Sequence, residues 1–164
     1  PVSVEKNIAA FLDLFTPGTK IVVGDGPQLA ELKAAHPEVV FLGLKRGEEL
    51  AAIYRSADVF VFPSKTDTFG NVMIEALASG VPVAAYPVSG PRDVLTDPDC
   101  AAMEEDLDSA IAVALKLSRA KARAFAETFT WARCADQFLA ALVPAVPGSI
   151  GRAAGGRGAA RIAG

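Results

Sequence analysis

The sequence predicts an α/β domain built on a doubly wound parallel sheet, and three observations carry that expectation. Strand-like apolar runs begin near residues 20, 39, 59 and 81, about twenty apart. Each pair is separated by a segment long enough for a helix, the βαβ rhythm of a parallel sheet. Finally, Val59-Phe60-Val61-Phe62 is continuously apolar, too short for a helix and stopped by Pro63, the pattern of a strand covered on both faces. Ligands in such sheets bind beyond the carboxyl ends of the strands. Function is therefore expected in the loops at Gly24, at Gly43, from Ser64 to Gly70 and from Tyr86 to Asp93.

The elements follow in order. After Pro1 to Asn7 comes an amphipathic helix with Ile8, Phe11, Leu12 and Phe15 at helical spacing, ended by Pro17-Gly18. Lys20 to Val23 is the first strand. Gly24-Asp25-Gly26-Pro27 turns it into a helix from Gln28 to Ala35, with Pro27 suited to a first helical position. That turn lacks the third glycine of a dinucleotide fingerprint, because Leu29 stands there. Val39 to Leu42 is the next strand, Glu48 to Ser56 a helix with Leu50, Ile53 and Tyr54 inward, and Val59 to Phe62 the central strand. Ser64 to Thr68 opens a helix that closes at Ser79-Gly80, a glycine stop before a strand from Val81 to Ala85. Beyond Asp97-Pro98 the pattern turns helical, over Leu107 to Leu117, over Ser118 to Phe129, and from Thr130-Trp131 through Phe138, Leu139 and Leu142. Pro144, Pro147 and the Gly/Ala/Arg run after Gly148 show no apolar periodicity and cannot offset the entropy of ordering. The expected organisation is one domain over residues 1–143 and a disordered tail over 144–164.

A chain of 164 residues suffices for one domain with a proper core. No apolar run approaches the roughly 20 residues that span a bilayer, and no export signal is visible, so a soluble, cytoplasmic protein is expected. Cys100 and Cys134 lie far apart without metal or disulfide spacing, which suits a reducing compartment. His36, the only histidine, precedes Pro37 at a helix end and reads as a surface residue. Residues 144–164 hold three arginines and no acid, which leaves 13 basic against 19 acidic side chains in the rest. An acidic body argues against nucleic acid as a partner. Arg152, Arg157 and Arg161 leave room for a peripheral contact with a membrane surface.

From Thr68 to Pro91 the only ionisable carboxylate is Glu75, set among Val72, Met73, Ile74, Ala76, Leu77 and Ala78. A helix apolar nearly all round reads as buried, and a carboxylate on it needs a partner. Glu75 is therefore expected to face a cavity whose occupant supplies hydrogen-bond donors. Thr68 can cap that helix, leaving the N–H groups of Phe69, Gly70 and Asn71 to favour an anion. Gly70 would remove a side chain where a ligand comes close. The structural alternative is that Asp67 belongs to a solvated turn and that a backbone amide holds Glu75.

Asp67-Thr68-Phe69-Gly70, then Glu75, with Ala76-Leu77-Ala78-Ser79-Gly80-Val81-Pro82-Val83 behind, resembles the donor motif of retaining glycosyltransferases of the two-domain GT-B architecture, group 1 or family 4-like. The resemblance extends over about Val2 to Leu142. It implies a Rossmann-like C-terminal half-domain that binds a nucleoside-diphosphate sugar, for hexose transfer with retention to a lipid or glycan acceptor held by an N-terminal domain. It assigns Asp67 to the hydroxyls of the transferred sugar and Glu75 to the ribose hydroxyls, as the catalytic-site acids. Glu5-Lys6-Asn7 matches the family's segment in which Lys6 grips the diphosphate, although Pro1 stands where the family has an arginine and its first strand is missing. Gly24 would line the cleft near the nucleotide, and the backbone at Leu44 and Lys45 would meet the base. Ser89-Gly90-Pro91-Arg92-Asp93 resembles the family's glycine-rich turn before a short helix. Thr68, Phe69, Gly70 and Asn71 complete the donor site, and the resemblance calls for no cofactor and no metal. Two alternatives stay open: a non-catalytic sugar-nucleotide-binding module, and a GT-B-like sugar-nucleotide epimerase, which would need catalytic acids and a histidine not visible here.

Overall fold

The computed structural model describes residues 1–66 and 70–141. The chain divides into two compact units, residues 1–129 and 130–164. In the first, a 3-10 turn at Val4–Lys6 leads into α1 (Ile8–Leu12), β1 (Ile21–Val23), α2 (Leu29–Ala35), β2 (Val40–Gly43) and α3 (Gly47–Ser56). Then follow β3 (Phe60–Phe62), α4 (Asn71–Ala78), β4 (Val83–Ala85), α5 (Ser89–Val94), β5 (Ala101–Met103), α6 (Leu107–Ala114) and α7 (Arg119–Ala126). The second unit contributes α8 (Trp131–Ala141). The tail expected over 144–164 lies outside the described residues.

Every strand pair is parallel, as the βα alternation requires. Among the described residues the strands form two ladders, β1-β2 and β3-β4-β5, where one continuous sheet was expected. Phe60 pairs with Val83, and Val83 in turn with Ala101, so β4 is the middle strand of its ladder. Val83, Ala84 and Ala85 have no exposed surface, whereas Phe60 and Val61 are half-buried. The strand covered on both faces is thus β4 rather than the Val59–Phe62 run.

Alternation along β4 sends its side chains to two cores. Val83 and Ala85 pack with Met73 and Leu77 of α4 and with Val94, Leu95 and Ala122, while Ala84 packs with Leu107, Ala110, Ile111 and Ala114 of α6. Helices on both faces make the sheet doubly wound, and burying Met73 or Leu77 contributes about 1.5–3 kcal/mol each. A third cluster, Val2, Leu12, Val22, Leu32 and Val39, surrounds β1. Phe11 packs against both the second and third clusters, so α1 ties the two ladders together.

Four local expectations are corrected. First, α1 stops at Leu12, where the Lys20 ammonium takes the carbonyls of Leu12 (2.6 Å) and Leu14, and Phe15 is exposed instead of inward. Second, α4 is not buried all round: Asn71, Val72, Glu75 and Ala78 form an exposed stripe opposite Met73, Ala76 and Leu77. Third, Ser89 to Asp93 is not a turn before a helix but the body of α5, whose third residue, Pro91, sits where its missing N–H costs nothing. Fourth, β5 went unread, because Ala101-Ala102-Met103 has no β-branched residue and strand identity there comes from burial beside β4.

Candidate functional site

Because the strands within each ladder run parallel, the loops after β1 and β2 leave the carboxyl end of one ladder and those after β3 and β4 the carboxyl end of the other. The N-terminal segment stitches them together. Val2 donates its N–H to the Asp25 carbonyl (2.9 Å) and accepts from Gln28 N–H (3.2 Å), which binds it to the turn after β1. On the other side Ser64 Oγ donates to the Glu5 carbonyl (2.9 Å) and Asn7 Nδ2 to the Pro63 carbonyl (3.0 Å), which binds the Lys6 turn to the loop after β3. Glycine at 26 is explained by this approach, since a Cβ there would come within 2.7 Å of the Val2 nitrogen. The Gly24 N–H in turn donates to the Gly43 carbonyl (2.8 Å), closing the β1 loop on the β2 loop.

Lys6 ends the 3-10 turn and is half-buried. Asn7, in the left-handed conformation at φ 52°, is the non-glycine residue type best suited to it, and there its amide reaches Pro63. Leu44 is exposed, and the Lys45 ammonium lies 3.5 Å from Glu49 of α3, so that side chain is drawn along the helix.

Gly70, at φ 64°, is the N-cap of α4, and the first helical N–H groups belong to Asn71 and Val72. This corrects the expected helix start at Thr68. A Cβ at residue 70 would meet Met73 Cε at 2.8 Å and Phe62 Cζ at 3.1 Å, so the left-handed backbone and a crowded neighbourhood both favour glycine there. Asp67, Thr68 and Phe69 lie outside the described residues. Asn71 and Glu75 stand on the exposed stripe of α4. Glu75 therefore sits at the surface rather than in an enclosed cavity, and its carboxylate accepts a long hydrogen bond, 3.4 Å, from the Tyr54 hydroxyl. Burial, then the charge and hydrogen bond of Glu75, push the Tyr54 phenol far above its usual range, so it stays a donor.

Sequence reasoning placed Tyr54 inward but missed its contact with Glu75. It also missed Lys65, whose ammonium lies 4.3 Å from the centre of the Tyr86 ring. Ser64, a serine with 1% of its surface exposed, was legible only as part of a polar loop. His36 caps the end of α2, its ring nitrogens 3.6 Å from Asp13 and from Glu38. Cys100 is buried, with its thiol pushed up to about 12 by burial and then by Asp97 and Asp99, which makes it unreactive. No helix among the described residues is long and apolar enough to cross a membrane.

Residues 6–120 match the model of the family described as Glycosyl transferases group 1. A GDP-mannose-dependent alpha-mannosyltransferase of Mycobacterium tuberculosis is 45% identical over 94 residues, covering 56% of this chain and 25% of the relative. A GDP-mannose-dependent alpha-(1-6)-phosphatidylinositol dimannoside mannosyltransferase of the same species is 33% identical over 159 residues, or 86% of this chain and 42% of the relative. The chain thus spans less than half the length of either. Among solved structures, the Anabaena protein HepE in complex with UDP superposes on 85% of this chain and 45% of its own, with a TM-score of 0.62 and 20% identity, a likeness of fold.

Proposed function

We propose a donor-binding role for this chain, which belongs to the Glycosyl transferases group 1 family: it is the nucleotide-sugar half of a retaining GT-B hexosyltransferase, with GDP-mannose as donor. The observation that carries the reading is the stitching of the Lys6 turn to the loops after β1 and β3, at the end of the sheet that also holds the start of α4. In this reading the donor diphosphate is held by the Lys6 ammonium and the N–H groups of Asn71 and Val72, since a point charge and a helix N-terminus both favour an anion. Glu75 takes the ribose hydroxyls, and the Tyr54 hydroxyl fixes its carboxylate. Asp67 and the backbone at Phe69 address the transferred sugar, Thr68 completes the donor site, and Leu44 and Lys45 border the base beside Gly24.

In this reading the chain's own groups bind, orient and stabilise the departing diphosphate, and no side-chain nucleophile is required. The two mannosyltransferase relatives support the choice of donor, and the UDP complex of HepE supports a nucleotide as the class of ligand. The acceptor, a lipid or glycan, belongs to a second domain. The experiment is calorimetric titration of the chain with GDP, GDP-mannose, UDP and UDP-glucose. Tighter binding of the guanine pair supports the proposed donor, and binding of none of the four removes the donor role.

A further inference from the structure

A cavity of about 470 Å³ opens between the N-terminal turn and the loop after β3, lined by Val4, Glu5, Asn7, Lys65 and Thr66. Phe62 of β3 pairs with Ala85 of β4, so Lys65 and Tyr86, which follow those residues, emerge at the same end of neighbouring strands. Tyr86 is 9% exposed and packed with Ala84, Ala102 and Leu107, a fixed platform. The Lys65 ammonium rests on its ring face at 4.3 Å. Among the described residues Lys65 meets no carboxylate, so its N–H donors remain to be satisfied by something else. On the same cavity wall Glu5 presents a carboxylate held by Ser3 Oγ at 2.8 Å.

The wall therefore pairs one cation with one anion, beside the Thr66 hydroxyl and the exposed aliphatic face of Val4. A phosphate would gain from Lys65 and lose against Glu5. A sugar ring suits both, because each hydroxyl needs a donor as well as an acceptor and its C–H face needs an apolar neighbour. Lys65 and Thr66 also directly precede Asp67, the residue the donor reading assigns to the transferred sugar. We propose that Lys65 and Glu5 form a subsite that reads the hydroxyls of the donor's hexose, with Tyr86 as the positioning residue that aims Lys65. The inference rests on the donor-binding reading and deepens it.

The test is titration of the whole chain and its variants with GDP and GDP-mannose, and with UDP and UDP-glucose. Lys65→Met and Glu5→Gln should each weaken binding of the sugar nucleotide by about 10- to 100-fold, the loss of one charge-assisted hydrogen bond, and leave the nucleoside diphosphate within about twofold. Tyr86→Leu should reproduce part of the Lys65→Met loss, whereas Tyr86→Phe, which keeps the ring face, should bind like the wild type. Equal losses for both ligands, or no loss for either, overturn the subsite while the donor reading stands. If the unsubstituted chain binds none of the four ligands, both fall.

Discussion

Gly70 combines two constraints that a side chain cannot meet together: a φ of 64° and the approach of Met73 and Phe62. Gly70→Ala should therefore destabilise the protein by about 1–3 kcal/mol, the usual cost of left-handed strain plus a crowded core, read as a lower midpoint in chemical denaturation. The Tyr54 and Cys100 shifts make a separate prediction. Both folded-state values lie above the unfolded ones, so both groups stabilise the fold fully below their unfolded values and lose that contribution as pH rises. For Cys100 the window runs from 9 to about 12. Thermal midpoints should fall across it, and Cys100→Ala should flatten part of the fall; an identical slope in the variant would show that the thiol is not buried in the way described. At this scale the sequence revealed which residues matter better than it revealed why. Glu75 is singled out by its apolar neighbours, but periodicity alone could not show that it stands on an exposed stripe, because Val72 and Ala78 share that stripe with it. Gly70 was read for a ligand, and its φ and its approach to Phe62 add a local reason that the sequence does not show.

The elements were most legible where turn chemistry and β-branched runs coincide. β1, β2 and β3 and the helices between them lie within one or two residues of expectation, because Val22-Val23, Val39-Val40 and Val59 to Phe62 are bounded by glycine or proline. β5 is the counter-example, three small or flexible residues made into a strand by their neighbour β4. The Thr130 reading was sound, since Thr130 Oγ1 accepts from Arg133 N–H at 3.2 Å at the start of α8. Caps give a graded prediction. Asp106 accepts from Ser109 N–H at 3.1 Å, whereas Ser118 accepts from Lys121 N–H at 3.4 Å. Asp106→Ala should cost about 1 kcal/mol and Ser118→Ala measurably less, both read from denaturant midpoints. The reverse order would mean that the cap geometry does not govern these two helix starts.

Across the whole chain, the parallel βα order and the family were legible from spacing and from the Asp67 to Pro82 motif, because both depend on local sequence. The division into two ladders was not, because pairing between strands far apart in sequence leaves no local trace. The donor reading makes the carboxyl end of the sheet the working face, with Lys6 and the start of α4 on the diphosphate and Glu75 on the ribose. Glu75→Ala and Asp67→Ala should then differ in kind. Loss of Asp67 should weaken binding of a sugar nucleotide while leaving the nucleoside diphosphate nearly unaffected, and equal losses would end that division of labour. Since transfer requires alignment with an acceptor and exclusion of water by a second domain, the chain by itself should bind donor without transferring sugar above background to lipid or glycan acceptors. The central claim is tested most directly by calorimetric titration of the chain and of Glu75→Ala with GDP. The account predicts saturable binding that Glu75→Ala weakens by about 10- to 100-fold, as expected for lost hydrogen bonds to a charged group. Undiminished binding by the variant would contradict it.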